Sequence, residues 1–386
     1  MFKNKESIVR NGILALAFFA GWFGFSYINQ VSGGVTMSNT WIFSVIAMSL
    51  IAVIVGMIIN IILHEFGHLL GGLLTGWRFV YFGIFNLLFI KEDGKVVRKT
   101  AQFQDAAGIC RMAPPEMKNG TLPHRLYLFG GVFMNLVCMA VCAVLFFHFA
   151  PSAPFWARAF LIAGLAGAFI VATNLIPGKT GHAMNDGYLL LHLGKPKNTE
   201  MRLRFWRNSN LVALRASGVR ARDIPTAYFE WANRNERISD PFVLEAALLP
   251  YEHLIDKGEM EEARAYLQLV RDCLDNSLET FMPAIDLHLL FHELINECRE
   301  EKINRLYTAK VRSYAKASAG AEGVQRVLYA YARLFTKDEA AAKEHLKLFE
   351  KACKNSADIG SVHGQRELIA LVDKIAEQRA KEVSAE

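Results

Sequence analysis

No CxxC pair occurs among the six cysteines of this 386-residue chain (Cys110, Cys138, Cys142, Cys273, Cys298 and Cys353). That excludes the usual spacing of a redox pair or a zinc ribbon and leaves no disulfide framework to expect. Cys138 and Cys142, one helical turn apart in an apolar run, read as small hydrophobes. Charge is scarce in places: charged residues are 21% of the chain, and segment 29–40 carries none. The formal net charge of +6 is modest for the length, and in the first half the positive residues flank apolar runs. They therefore read as topology signals, and no nucleic-acid partner is expected. The N-terminus, MFKNKESIVRNGILALAFFAGWFGF, has the charge and apolarity of a secretory signal but no small-x-small cleavage site after its apolar core. The expectation is a retained membrane span.

What is abundant is long apolar sequence: 52% of residues are hydrophobic, concentrated before about residue 178. A span needs about 20 mostly apolar residues, and four segments approach that, at about 12–28, 41–70, 126–150 and 159–176. Lysine and arginine are frequent before the first segment, between the second and third (eight in 76–125) and after the fourth, but nearly absent from the other two loops. Four spans with both termini cytoplasmic satisfy every loop in a bacterial-type cell membrane. Between spans two and three, residues 79–103 are rich in aromatic and branched residues around Asp93-Gly94. This predicts a small β-hairpin insertion, either a flap at the headgroups or an edge that pairs with an unwound substrate segment.

Span two contains His64-Glu65-Phe66-Gly67-His68. On a helix, His64 and His68 project from one face, and two neutral imidazoles at that spacing can bind one zinc ion. Zinc brings the pKa of its water to about 7, and Glu65 on the same turn can serve as the base. A carboxylate at mid-membrane costs roughly 2.5–3.5 kcal/mol on the lenient insertion scale, which argues that Glu65 is there for chemistry. A catalytic zinc takes three protein ligands and leaves one position open. The next polar cluster at the same expected depth, NLIPGKTGHAMNDGYLL (174–190), offers Asp186 and His182. Pro177 and Gly178 would break the helix and let the chain turn a carboxylate back to the metal. Asn60, one turn before His64, either supports a ligand or bonds a neighbouring helix.

HEFGH in one span, Gly131-x-x-x-Asn135 in the next, and Asn174-x-x-Pro177 followed by Asp186-Gly187 resemble, in order, the site-2 protease family of intramembrane zinc metalloproteases. The resemblance covers roughly residues 41–190. It implies that His64, His68 and Asp186 are zinc ligands, that Glu65 is the catalytic base, and that Asn135 and Asn174 contact substrate or support the ligands. It also implies hydrolysis of a peptide bond in or near a transmembrane segment of a membrane protein or membrane-bound peptide. Two departures stand out. The gap after Pro177 is longer than the family's, with Asn185 where a leucine is usual, and the Gly131 motif lacks the proline common after its glycine.

A soluble, charged, helical half is expected over 196–386, after a membrane domain over 1–195. Three stretches near 245–273, 287–314 and 326–353 each read as helix, turn, helix, with turns marked by Gly258, Glu300 and Lys337. The pattern is similar to tetratricopeptide-like hairpins, whose stacked arrays suit a protein partner. His288-x-x-x-His292 repeats the ligand spacing, but Leu287, Leu290 and Phe291 around it mark a buried helix face, not a metal site. The sequence thus predicts a polytopic α-helical zinc protease with a cytosolic all-α domain. The competing readings are a catalytically silent scaffold that binds membrane helices and a protease of small signal or secreted peptides.

Overall fold

The computed structural model describes residues 2–32, 39–92, 94–100, 107–180, 183–230 and 237–385. The chain divides into two compact units, one of Met1–Asn86 with Phe103–Ser209 and one of Leu87–Gln102 with Asn210–Glu386.

The first unit opens with helices α1 (Phe2–Val31) and α2 (Asn39–Leu74). At about 1.5 Å per residue, the 36 residues of α2 reach well past the ~30 Å hydrocarbon core of a bilayer, so the HEFGH turn sits near one end of a continuous helical rod. In the same unit, strands β1 (Arg78–Ile84) and β4 (Gly108–Ala113) pair antiparallel, with Phe82 opposite Cys110 and Ile84 opposite Gly108. In the second unit, β2 (Leu87–Glu92) and β3 (Lys95–Thr100) form a hairpin in which Glu92 faces Lys95 across a two-residue connection, and Gly94 has φ +79°. The hairpin expected around 93–94 is present as β2–β3, within the expected bounds 79–103, and the described residues hold four strands here where one hairpin was expected. The first aromatic stretch pairs with a later strand, 108–113 (GICRMA), whose three small residues and lone arginine conceal it. Asp93 of the predicted turn lies outside the described residues.

Helices α3 (Arg125–Phe149) and α4 (Pro154–Leu175) follow. Three helical segments are long and apolar enough to cross a membrane among the described residues: Trp41–Leu74, Arg125–Phe149 and Pro154–Leu175. They hold the expected spans 41–70, 126–150 and 159–176 with small shifts at the ends, and the expected first span lies inside α1. Their large side chains lie open on the outside: Phe43 is 73% exposed and Val144 69%, a cost that water would impose and lipid would not. Inside, α2 and α3 touch backbone to backbone. A Cβ added to Gly67 would lie 2.1 Å from the carbonyl oxygen of Gly130, so only glycine permits this approach. A cluster of Trp77, Cys110, Met112, Leu122, Tyr127, Leu128 and Leu193 fills the space beside the HEFGH end. Trp77 stacks on Tyr127 at 4.3 Å and donates its indole N–H to the Pro123 carbonyl, 2.9 Å.

After Leu175 the chain leaves the helix: Ile176 is extended, with ψ 117°. A two-residue strand pair follows, β5 (Lys179–Thr180) and β6 (Ala183–Met184), then α5 (Asp186–His192) and α6 (Thr199–Ala216). His182, predicted as an alternative ligand, lies outside the described residues.

The rest of the second unit is α7 (Pro241–Lys257), α8 (Met260–Asp272), α9 (Met282–Ile295), α10 (Glu300–Leu306), α11 (Ala309–Ala317), α12 (Glu322–Ala330), α13 (Glu339–Asn355) and α14 (Ile359–Ala385). Gly258 (φ +81°) and Lys337 (φ +54°) turn the chain between helices where the sequence marks turns. Two stretches depart from helix–turn–helix. The middle one splits its second helix into α10 and α11, because Thr308 caps a new start by accepting from the Val311 N–H at 3.4 Å. The third widens into a π-helical turn over Tyr331–Thr336 before α13. Leu287, Leu290, Phe291 and Leu294 of α9 are fully buried at the centre of this unit. The β2–β3 hairpin belongs to the same unit: Lys99 donates to the Ser356 carbonyl at 3.2 Å, and the Thr100 N–H to Asn355 Oδ1 at 3.3 Å. All six cysteines are free thiols.

Candidate metal centre and active site

His64 and His68 are both buried on one face of α2, and the break after α4 brings Asp186 to them from 122 positions away in His64's case. Asp186 Oδ2 lies 3.2 Å from His64 Nε2 and 3.1 Å from His68 Nε2, and the two Nε2 atoms are 3.1 Å apart. Three ligand atoms thus form a near-equilateral triangle. Tetrahedral bonds of about 2.0–2.1 Å to a common zinc ion would separate ligands by roughly 3.3 Å. Among the described residues, these three are the one group of His, Cys, Asp and Glu close enough together to hold a metal ion.

Hydrogen bonding decides which ring nitrogens carry protons. Asn135 Nδ2 lies 2.8 Å from the Asn60 backbone carbonyl, which can only accept, so this atom is the amide nitrogen. Asn135 Oδ1 then faces His64 Nδ1 at 2.8 Å, and His64 must donate there. His68 Nδ1 faces the Tyr127 backbone carbonyl at 2.7 Å and must donate too. With both imidazoles neutral, each presents a lone pair at Nε2, and both lone pairs meet a carboxylate oxygen. Three such acceptors repel one another unless a proton or a metal cation sits between them. The donor set of two imidazoles and one carboxylate suits zinc, and both rings carry the outer hydrogen bond that fixes ligand orientation.

Local sequence explains this convergence. A Cβ on Gly131 would lie 2.6 Å from His68 Nε2 and 2.7 Å from His64 Cε1, so α3 offers bare backbone where the two rings need room. Asn60 also bonds two neighbours on its own account: its Nδ2 donates to the Gly56 carbonyl at 2.9 Å and to the Ala163 carbonyl of α4 at 3.1 Å. Asn60 thereby ties α2 to α4 and holds Asn135, which holds His64. Asn185 is the knot at the chain break. Its Oδ1 accepts from the N–H groups of Gly178 and Tyr188, both 3.0 Å away, and its Nδ2 donates to the carbonyls of Thr173 (2.8 Å) and Ile176 (2.5 Å). It is the N-cap of α5, which puts Asp186 at the first helical position. A leucine there could make none of these side-chain bonds.

Glu65 is buried on the same turn as the histidines. Its Oε1 would lie 2.9 Å from a Cβ on Gly108, so the first residue of β4 passes directly over the carboxylate. The Asn174 side-chain amide donates back to the Ile170 carbonyl of its own helix at 3.0 Å. Sequence reasoning missed three contributors. Gly108 has no motif around it, the Tyr127 contribution is a backbone carbonyl, and Asn185 was visible only as a mismatch.

Neither a curated protein nor a solved structure matches the chain. The profile of peptidase family M50, the site-2 protease family, matches residues 52–381, which run through the histidine pair, Asp186 and most of the helical C-terminal half. With a metal-competent triad at the end of an apolar helix, this chain belongs to peptidase family M50, a family of membrane-embedded metalloproteases.

Proposed function

We propose that the chain is an intramembrane zinc endopeptidase that cuts a membrane protein in or next to a transmembrane segment. His64, His68 and Asp186 would hold the ion. When bound, zinc supplies Lewis acidity, making a water acidic near neutral pH and polarising a scissile carbonyl. Glu65 accepts the proton of the attacking water and then delivers it to the leaving amine nitrogen. Asn135 and the Tyr127 carbonyl keep both Nδ1 protons in place throughout, so each ring keeps Nε2 directed at the ion. The observation that carries this reading is the triangle of mutually accepting ligand atoms beside a buried glutamate on a helix that is apolar over most of its length.

A peptide must be extended to be cut, and the passage of β4 over Glu65 supports an edge role for this strand, to which an unwound substrate segment adds. Four spans with both termini cytoplasmic remain the topology that agrees with the lysine and arginine distribution, with water reaching the site from that side. The helical C-terminal half would recruit a protein partner or substrate.

A Glu65→Gln variant purified from its native membrane tests the proposal. It should keep its metal and accumulate uncut membrane polypeptides that the unmodified protein does not retain. If Glu65→Gln keeps its metal and no polypeptide accumulates on it, the endopeptidase reading fails.

A further inference from the structure

A cavity of about 270 Å³ lies within the C-terminal unit, among α7, α8, α9, α12 and α14. Arg326 lines it and is 1% exposed. Among the described residues no carboxylate forms an ion pair with this guanidinium; Glu322, a turn earlier on α12, acts on it only at longer range and accepts from the Ser356 hydroxyl at 3.1 Å. The Arg326 Nε has no hydrogen-bond partner; one terminal nitrogen donates to the neutral Gln365 amide oxygen at 3.0 Å, and the other lies 3.4 Å from His288 Nδ1. The Phe291 ring lies 4.3 Å from the guanidinium carbon. An aromatic face offsets only part of what a desolvated cation loses. The two acids at the cavity, Glu252 and Asp256, are already engaged by Arg215 and Arg220. A second buried polar group stands beside it: the Tyr251 hydroxyl, on the cavity wall, faces this guanidinium and donates to no acceptor. Much of the remaining wall is apolar, including Leu248, Ile285 and Leu368.

We propose that this cavity binds a small organic anion, a carboxylate on an apolar stem, through the Arg326 guanidinium and the Tyr251 hydroxyl. A carboxylate offers the planar pair of acceptors that a guanidinium fork matches. The apolar wall selects against a bare inorganic anion. The volume lies just below the roughly 300–1,000 Å³ of ordinary small-molecule pockets, so the stem is short. The site is separate from the metal centre, and its existence does not depend on the peptidase reading.

The test uses the full-length protein in detergent, with hexanoate and benzoate as probes and hexylamine and inorganic phosphate as controls. Melting temperature and hydrogen exchange of α7 and α12 are followed. Hexanoate or benzoate should raise the melting temperature saturably by a few degrees and slow exchange in both helices, while hexylamine does neither. Arg326→Met should abolish the response and melt no lower than the unmodified protein without ligand, since it removes an unpaired charge. Tyr251→Phe, which retains the packing, should fold normally and bind several-fold more weakly. If Arg326→Met fails to fold, the comparison of Tyr251→Phe with the unmodified protein decides. The proposal is overturned by no response to either carboxylate, by a response that survives Arg326→Met, by unchanged affinity in Tyr251→Phe, or by phosphate acting as well as hexanoate.

Discussion

Two histidine pairs with identical four-residue spacing lie in the two units of this chain, and their surroundings are opposite. At His64 and His68, each Nδ1 is fixed by an oxygen acceptor, each Nε2 faces inward, and a carboxylate completes the set. At His288 and His292 no acid faces the rings among the described residues. Both nitrogens of His292 lack partners, and the nearest charged group to His288 is the cation of Arg326. The first environment gathers acceptors and calls for a cation. The second gathers donors and, at the neighbouring cavity, calls for an anion. Spacing on a helix sets only that two rings share a face; what the rest of the chain brings to that face decides the chemistry.

The largest expected difference between the pairs is catalytic. Glu65→Gln should lower cleavage of a membrane substrate by about 10²–10⁴-fold with metal content unchanged, whereas changing Glu293, which follows His292, should leave cleavage untouched. Peptide release measured in proteoliposomes checks both. Next is the support of the first pair. Asn135→Leu removes the acceptor of the His64 Nδ1 proton and should weaken metal binding by about 10–100-fold, read by competition with a chelator. A smaller, separable effect is expected at β4. Gly108→Ala pushes on Glu65 and not on the ligands, so it should reduce cleavage by up to about 10²-fold through misplacement alone and leave metal affinity intact. Equal loss of metal in Gly108→Ala would break the division between ligand support and base placement.

The smallest effect concerns the second pair. Burial, with Arg326 nearby, pushes both His288 and His292 down to about 3. In the fold they stay neutral, while in the unfolded chain they take up protons below roughly pH 6.5. The stability this provides is present above that pH and is lost progressively as the pH falls towards 3. His292→Leu should flatten that acid loss and, by removing two unmatched buried nitrogens, raise stability by about 1 kcal/mol. Melting of the C-terminal unit across this range, followed by hydrogen exchange, reads both effects.

Much of the first unit is legible in the sequence because its elements are long and strongly patterned. The apolar runs outline α2, α3 and α4, and the histidine pair announces itself by helical spacing. Gly131 and Asn135 are legible as a motif, though only packing shows that Gly131 makes room for two rings while its neighbour Gly130 takes the helix contact. What escapes the sequence is whatever depends on partners distant in the chain. The stretch 78–84 looks like half of a local hairpin, yet it pairs antiparallel with the distant 108–113. Gly108 has no local signal, because its role is set by the side chain beneath it. Asn185 reads as a deviation from a motif until its four hydrogen bonds across the helix break are seen. In the second unit the helix turns at Gly258 and Lys337 are local and readable. The solitary buried charge of Arg326 is not, since an arginine on an amphipathic helix ordinarily reaches solvent.

The measurement closest to the central claim is elemental analysis of the purified, detergent-solubilised protein beside Asp186→Ala, His182→Ala and the double variant His288→Ala/His292→Ala. Zinc should be present in near-stoichiometric amount in the unmodified chain, lost in Asp186→Ala, and retained in the other two. Zinc that survives Asp186→Ala, or disappears with His182→Ala or with the second histidine pair, would contradict the assignment of the metal to His64, His68 and Asp186.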